Sequence, residues 1–191
     1  MARQYPAGGG YPPPADPQAT PEPEADPHSV ARTICLRLLT VRARTRTELA
    51  DALAARNVPE DAATHVLNRL AAAGLVDDKA FAESFVESRH RERGLAAREL
   101  SRQLRSKGVD ESIAAEAVAA LDPDLEQLTA RRLVERKLRT MSGLDAQVQT
   151  RRLAGMLARK GYSSGMAFQI VREVIGDRLA ELDEPDPAWL A

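Results

Sequence analysis

Aromatic residues and cysteine are scarce in this chain of 191 residues. Aromatic residues make up 4% of the sequence, and a single cysteine, Cys35, lies among apolar neighbours. One cysteine excludes a disulfide framework, and its neighbours indicate a buried thiol in a helix rather than a nucleophile. No apolar run approaches the roughly 20 residues of a membrane helix, and the start lacks the basic and then apolar layout of a signal peptide. We therefore expect a soluble, cytoplasmic protein without a membrane association.

Motifs of catalysis and of cofactor or metal binding are also missing. The chain has no phosphate-binding loop, no dinucleotide fingerprint and no G-x-S-x-G element, and its three histidines lack a second ligand at a metal-binding spacing. The run Gly8-Gly9-Gly10 lies in a proline-rich segment, which indicates a flexible linker. The neighbouring acids Asp77 and Asp78 fit a helix start better than acid/base chemistry. We predict a protein with no enzymatic activity, cofactor or metal.

Proline and charge are distributed unevenly along the chain. Residues 1–29 hold eight prolines and a net charge of −3, and residues 177–191 have a net charge of −4. Because the whole chain sums to −1, residues 30–176 carry +6. We predict a disordered Pro/Gly-rich tail over 1–29 and an acidic flexible end over 179–191, since neither segment can bury a core. The basic body predicts an anionic partner, either nucleic acid or an acidic protein surface.

One pattern of apolar residues, with a basic residue and a tight turn, occurs three times. In each copy two leucines four residues apart precede a basic residue, a turn residue and further apolar positions at helical spacing. The basic residues and turn residues are Arg56-Asn57, Lys107-Gly108 and Lys160-Gly161. Asparagine and glycine tolerate the left-handed backbone that ends a helix, and a basic side chain complements the helix dipole there. A period of about 50 residues with helical spacing inside it predicts an array of helical modules.

The chain between the turns is rich in helix-forming residues and has no hairpin signal. We therefore predict an all-α fold, an elongated and curved array of three tandem three-helix repeats. The predicted boundaries are 30–92 for an opening helix and the first repeat, 93–141 for the second repeat, and 142–178 for a truncated third repeat. The last helix of this third repeat is predicted to be short or missing, as in a capping unit.

Helix-start signals agree with this interpretation. Thr45-x-x-Glu48 is a capping-box pattern, in which the threonine oxygen and the glutamate each satisfy a free amide. An opening helix over about 30–42 is predicted to bury the face that carries Ile34, Leu38 and Val41. The other predicted helix starts are Pro59, Asp110 and Ser163 after the turns, then Asp77 or Asp78, and Asp122-Pro123.

Arginines outnumber lysines 23 to 4 and concentrate in the middle of the chain. Arg98, Arg102 and Arg105 are spaced to lie on one helix face, opposite the apolar positions. A solvated helix face explains any single arginine, but the group as a whole predicts a binding surface. Few aromatic residues are available to stack on bases, so an acidic groove on another protein is the favoured main contact. The predicted partner-binding residues are Arg89, Arg91, Arg93, Arg98, Arg102, Arg105, Arg132, Arg136 and Arg139.

The run GLVDDKAFAESFVESR over residues 74–89, with the later Lys107-Gly108-Val109, resembles the central signature of the RecX family. The resemblance extends over about residues 30–176. RecX proteins are bacterial regulators of the recombinase RecA and consist of tandem three-helix repeats. The resemblance implies a regulatory protein without catalysis that lies in the groove of the RecA filament on single-stranded DNA. There it is expected to inhibit ATP hydrolysis, strand exchange and the repressor cleavage that starts the SOS response.

Two other interpretations remain. Residues 46–76 resemble the helical part of a winged helix, which predicts a helix-turn-helix type DNA-binding transcriptional regulator. A wing, however, needs two strands after Val76, where the pattern continues as helix. The third interpretation is a scaffold of helical repeats with an unrelated partner. A weak direct contact with nucleic acid stays open in each case, and we expect a monomer because no sustained coiled-coil pattern occurs.

Overall fold

The computed structural model describes residues 26–183, and over this range the chain is helical and contains no strand. The helices are α1 Pro27–Val41, α2 Arg46–Ala54, α3 Glu60–Ala72, α4 Asp78–Arg93, α5 Ala97–Ser106, α6 Glu111–Ala119, α7 Pro123–Leu138, α8 Ala146–Arg159 and α9 Ser164–Asp183. A single 3-10 turn, Arg139–Met141, follows α7. The predicted all-α class is confirmed, and α4 begins where a winged helix needs its strands. No helix in 26–183 is both long and apolar enough to cross a membrane.

Three hydrophobic cores follow one another along the chain. Helices α1 to α3 enclose the first core, α4 to α6 the second, and α7 to α9 the third. We call these three-helix bundles unit 1, unit 2 and unit 3. Each core contains the paired leucines of the sequence repeat, which are 0% exposed: Leu49 and Leu53, Leu100 and Leu104, Leu153 and Leu157. Three tandem three-helix units are therefore confirmed.

The predicted repeat boundaries are shifted by one helix relative to the units that these cores define. The predicted repeat 30–92 includes α4, and the predicted repeat 93–141 includes α7. In the structure α4 packs against α5 and α6, and α7 packs against α8 and α9. The reason is that a periodic pattern gives the length of a unit without marking where the unit begins. The third unit over 142–178 was expected to be truncated, but it is a complete bundle because α7 supplies its first helix.

Each predicted tail overlaps a helix where it joins the rest of the chain. Helix α1 starts at Pro27 with Asp26 as its N-cap, so the end of the predicted tail 1–29 is helical. Helix α9 continues to Asp183, so the predicted flexible end 179–191 also begins as helix. The other residues of these two segments lie outside the described part of the chain.

The opening helix buries the predicted face only in part. Ala31 and Cys35 are 0% exposed, and Ile34 and Leu38 are half-buried beside them. Val41 is 77% exposed, because it is the last residue of α1 and lies beyond the core of unit 1. The buried position of Cys35 is confirmed, and burial raises the pKa of its thiol.

The two acids at the start of α4 have separate tasks. Asp77 is the N-cap, and its carboxylate accepts from the backbone N–H groups of Lys79 and Ala80 at 2.9 Å each. Asp78 accepts instead from the backbone N–H of Arg46 at 2.8 Å, in the first turn of α2. The pair therefore satisfies free amides at the starts of two helices, one in each of two neighbouring units.

Neighbouring units are joined by the same contact at both junctions. The tight turn of one unit packs against the start of the second helix of the unit before it. At the first junction the Thr45 hydroxyl donates to the carbonyl of Lys107 at 2.7 Å, and the Thr47 hydroxyl donates to the carbonyl of Gly108 at 2.9 Å. At the second junction the backbone N–H of Ala96 donates to the carbonyl of Lys160 at 2.9 Å. The sequence repeat is thus also a repeat of the docking contact.

This contact explains the residue type at each turn. Gly108 and Gly161 have φ values of 71° and 93°, and a Cβ on either glycine would overlap its neighbouring unit, 2.4 Å from Thr47 and 2.5 Å from the backbone N of Glu99 respectively. Asn57 also has a positive φ, 58°, but its unit is the first in the described part of the chain and the residue is exposed. A side chain is therefore tolerated there, and asparagine supplies the left-handed backbone without glycine.

Unit 3 differs at the place where a further unit would dock. The repeat aligns Gln149 with Thr45 and Ala96. These two residues are the N-caps of α2 and α5, and each contacts the tight turn of the following unit. Helix α8 has already begun one turn earlier, and the buried side chain of Gln149 donates to the carbonyls of Met141 and Leu144 at 2.8 and 2.9 Å. The extra helical turn therefore fills the docking position on unit 3.

Candidate partner-binding grooves

Two grooves lie at equivalent places between the units. Each separates the end of the first helix of one unit from the first helix of the next unit. The first groove lies between α1 and α4 and has a volume of about 450 Å³. The second groove lies between α4 and α7 and has a volume of about 420 Å³. Both are open to solvent and have basic rims.

Four of the nine predicted arginines come together in the second groove. The end of α4 supplies two of them and the C-terminal half of α7 the other two, and all four are exposed: Arg91, Arg93, Arg132 and Arg136. Leu121, Leu125 and Leu133 form an apolar floor, of which Leu125 is 44% exposed. A groove with an apolar floor and a basic rim suits an acidic partner that also offers apolar side chains.

His90 fixes the shape of the second groove from below. Its ring is buried, with Nδ1 2.9 Å from the Leu95 carbonyl and Nε2 3.1 Å from the Thr129 hydroxyl. Because a carbonyl oxygen only accepts, Nδ1 donates the bond to Leu95, and Nε2 forms the hydrogen bond with the Thr129 hydroxyl. The histidine thus ties the end of α4 to α7. In the described range no cluster of three or more His, Cys, Asp or Glu residues could hold a metal.

Lys160, which was not among the predicted site residues, joins the second groove at its edge. Its Nζ donates to the backbone carbonyl of Arg93. Burial lowers the pKa of Lys160, and the nearby charges of Arg136 and Arg93 lower it further. Three cations from three helix ends are therefore crowded together at this point.

The first groove has a different charge balance. Glu48 accepts from Arg42 at 3.0 Å and from Lys107 at 2.8 Å. Burial alone would raise the pKa of Glu48, but the hydrogen bonds and charges of these two partners prevail and lower the pKa to about 2. The carboxylate therefore stays ionised and neutralises much of this rim. The capping box is confirmed only in its first half: Thr45 accepts from the Glu48 N–H at 3.1 Å, while the Glu48 carboxylate faces the cations.

Arg89 is the one predicted arginine that lines the first groove. Its guanidinium carbon lies 5.2 Å from the ring centre of Phe85, within the range of a cation–π interaction. The side chain of Arg44 also lines this groove, and its Nε is buried without a hydrogen-bond partner in the described structure. This groove therefore combines arginines with the ring surfaces of Phe81 and Phe85.

The remaining four predicted arginines line neither groove. Arg98, Arg102 and Arg105 are exposed on α5, as the helical spacing predicts. Arg102 is held by Glu99 on the same helix, at 2.6 and 2.8 Å, and this hydrogen bonding lowers the pKa of Glu99 to about 2. Arg139 is exposed in the 3-10 turn after α7. The predicted continuous surface is thus divided, and contact roles for the nine arginines stay a prediction.

The sequence contained a signal for Lys160. A basic residue precedes the turn in all three copies of the repeat, and helix-dipole complementarity was sufficient to explain it. In the structure the turn docks on the preceding unit, so Lys107 and Lys160 extend into that unit's groove. Only the junction geometry gives them this second role.

Family models match the chain over each of the three units. The first three-helix domain of RecX matches residues 31–70, the second matches residues 77–118, and the third matches residues 124–171. The chain belongs to the RecX family. The three RecX domains coincide with α1 to α3, α4 to α6 and α7 to α9, which agrees with the division made by the hydrophobic cores.

Relatives of known name support the same assignment. The regulatory protein RecX of Streptomyces coelicolor is 56% identical over 154 residues, which covers 81% of this chain and 82% of the relative. The regulatory protein RecX of Thermobifida fusca is 48% identical over 169 residues, with 88% and 90% covered. The crystal structure of RecX from Lactobacillus salivarius superposes with a TM-score of 0.71 at 26% identity and covers 79% of this chain and 98% of that structure. The relatives from Streptomyces coelicolor and Thermobifida fusca are named as regulatory proteins.

Proposed function

We propose that this protein is a cytoplasmic regulator that binds the RecA recombinase as a filament on single-stranded DNA and inhibits it. The inhibited activities are ATP hydrolysis, strand exchange and the co-protease activity that starts the SOS response. The protein acts by occupying its partner, with no reaction, cofactor or metal of its own. The observation that carries the proposal is the gathering of four arginines over a leucine floor between two units of a RecX-family chain.

The tandem architecture supports a polymeric partner. Two equivalent grooves, one unit apart, present basic residues at a repeated interval, as a filament presents repeated subunits. Each exposed ion pair contributes only about 0 to 1 kcal/mol, so one groove alone binds weakly. Two grooves on adjacent protomers act together through their effective concentration. Bridging of this kind restrains the protomers against each other and so opposes the movements that accompany ATP hydrolysis.

The direct test measures phosphate release by RecA on single-stranded DNA as purified protein is added. We expect hydrolysis to fall with increasing protein and to recover when an excess of protein-free filament is supplied. Unchanged hydrolysis at saturating protein contradicts the proposal. A gel-shift titration with duplex DNA serves as the control for a transcriptional regulator, for which we expect no sequence-selective complex.

A further inference from the structure

The two grooves contain the same pair of residues in different states. The repeat aligns Glu48 with Glu99 and Lys107 with Lys160. In the first groove the pair is formed, with Lys107 Nζ 2.8 Å from the Glu48 carboxylate. In the second groove Glu99 turns away and binds Arg102 and Gln103 on its own helix, both at 2.6 Å. Lys160 has no carboxylate partner among the described residues.

Three other cations of the second groove also lack an ion-pair partner among the described residues. Arg91 is paired with Glu87 at 2.8 Å, and the groove's second acid, Glu92, accepts from the hydroxyl of Ser88. Over the described part of the chain the other basic residues form no ion pair: Arg93, Arg132, Arg136 and Lys160. Five basic and two acidic side chains leave this site with a charge of +3. Like charges held this close repel each other, so an incoming anion relieves the repulsion.

We propose that the second groove is the site that receives an acidic segment of the partner protein, with carboxylates on Lys160, Arg93 and Arg136 and an apolar side chain on the leucine floor. This inference rests on the proposed function for the identity of the partner. Arginine forks bind carboxylates in bidentate geometry, and Leu125 and its neighbours offer apolar surface between the charges. A cluster that leaves its cations unpaired within the chain is preorganised for an external carboxylate.

The lining of the groove favours a protein over single-stranded DNA. Single-strand binders combine basic grooves with aromatic platforms on which the bases stack. No Phe, Tyr or Trp side chain lines the second groove in the described structure, and the one aromatic ring there, His90, is buried and hydrogen-bonded on both nitrogens. Phosphates alone would leave the leucine floor uncovered.

The equivalent lysines supply a matched pair of variants. Lys160→Gln with Arg136→Gln removes charge from the second groove and breaks no ion pair. Lys107→Gln is the equivalent change at the lysine of the first groove; it removes one charge and breaks the pair with Glu48. Thermal unfolding establishes that all variants are folded, and we expect Lys107→Gln to lower the melting temperature more than the double variant does, because it alone breaks an ion pair.

Binding is measured by fluorescence anisotropy with a short labelled peptide of Asp, Glu and Leu, and separately by co-sedimentation with RecA filaments. We expect K160Q/R136Q to weaken peptide affinity by about tenfold or more, and K107Q to change it by less than about twofold. A peptide with Asn and Gln in place of the acids is expected not to bind. Failure of the wild-type protein to bind the acidic peptide overturns the inference, as does displacement of the peptide by oligo-dT at equal concentration.

The two proposals fail in different ways. If the wild-type protein inhibits RecA and K160Q/R136Q binds filaments as tightly as wild type does, the proposed function stands and the assignment of the second groove is wrong. If the wild-type protein neither binds nor inhibits RecA, the proposed function is wrong. Peptide binding that depends on Lys160 then still supports an acidic partner at this groove.

Discussion

At the scale of single residues, Gly74 and Gly108 have the same backbone conformation in different surroundings. Their φ values are 70° and 71°, in the left-handed region that disfavours a side chain. A Cβ on Gly74 would meet no atom within 4 Å, whereas a Cβ on Gly108 would lie 2.4 Å from Thr47. The two positions therefore separate the cost of backbone strain from the cost of a crowded junction.

We predict that Gly74→Ala lowers the free energy of unfolding by about 1 kcal/mol through backbone strain alone. Gly108→Ala carries the same strain and also forces unit 2 away from unit 1, which adds about 1 to 3 kcal/mol. Urea unfolding followed by circular dichroism measures both values. Equal losses of unfolding free energy in the two variants would mean that the junction accommodates the added methyl group without loss of stability.

At the scale of helices, Glu48 connects three parts of the chain. It lies in the first turn of α2 and binds Arg42 after α1 and Lys107 at the end of α5. Its pKa is about 2 in the folded protein, against an ordinary value of about 4.5. A carboxyl whose pKa is lowered by folding stabilises the folded state above its unfolded pKa and loses this contribution as it is protonated.

We therefore expect the Glu48 contribution to be complete above about pH 4.5 and to disappear as the pH falls to about 2. Glu48→Gln should lower the free energy of unfolding by about 1 to 2 kcal/mol at pH 7, since one side chain and two partially exposed cations are involved. The difference between wild type and variant should narrow across that interval in urea titrations at a series of pH values. A constant difference down to pH 2 would show that packing, rather than charge, is responsible.

Helix ends were predictable because their chemistry is local. Asn57, Gly108 and Gly161 have the positive φ that their residue types indicate, and Asp122 caps α7 ahead of Pro123. The beginning of each unit was not predictable, because the turn and the paired leucines mark only the second helix of a unit. The sequences of α4 and α7 are compatible with packing against the unit before or the unit after. The grooves depend on contacts between units, so only the nearby arginines on α4 and α7 could be proposed from spacing, and Lys160 could not.

At the scale of the whole molecule, the positive charge is divided between grooves and open surface. Arg93, Arg132 and Arg136 lie in the second groove, whereas the α5 arginines face solvent and one of them is already paired. Exposed charges act at long range and are screened by salt, with a Debye length of about 8 Å at physiological ionic strength. The groove arginines are exposed as well, but a partner that fills the groove would bury them, and buried ion pairs are screened less.

We predict that R93E/R132E/R136E abolishes inhibition of the RecA ATPase at every salt concentration. R98E/R102E/R105E should weaken inhibition at low salt, through slower association, and resemble wild type at high salt. For wild type itself, inhibition should decline as salt rises. Titrations of ATPase rate against protein at several salt concentrations measure all three. Equal loss in the two triple variants would extend the contact surface to α5.

The extra turn at the start of α8 limits how this molecule occupies its partner. Gln149 and that turn occupy the position of the free N-cap on which the tight turn of a following unit docks. The tight turn of a second copy therefore cannot dock on unit 3 in the way that units dock within one chain. On the proposed RecA filament we therefore expect each bound molecule to have a footprint of fixed length and neighbouring molecules to attach independently of each other. Titration should reach a constant molar ratio to RecA with a hyperbolic, not sigmoidal, approach to saturation.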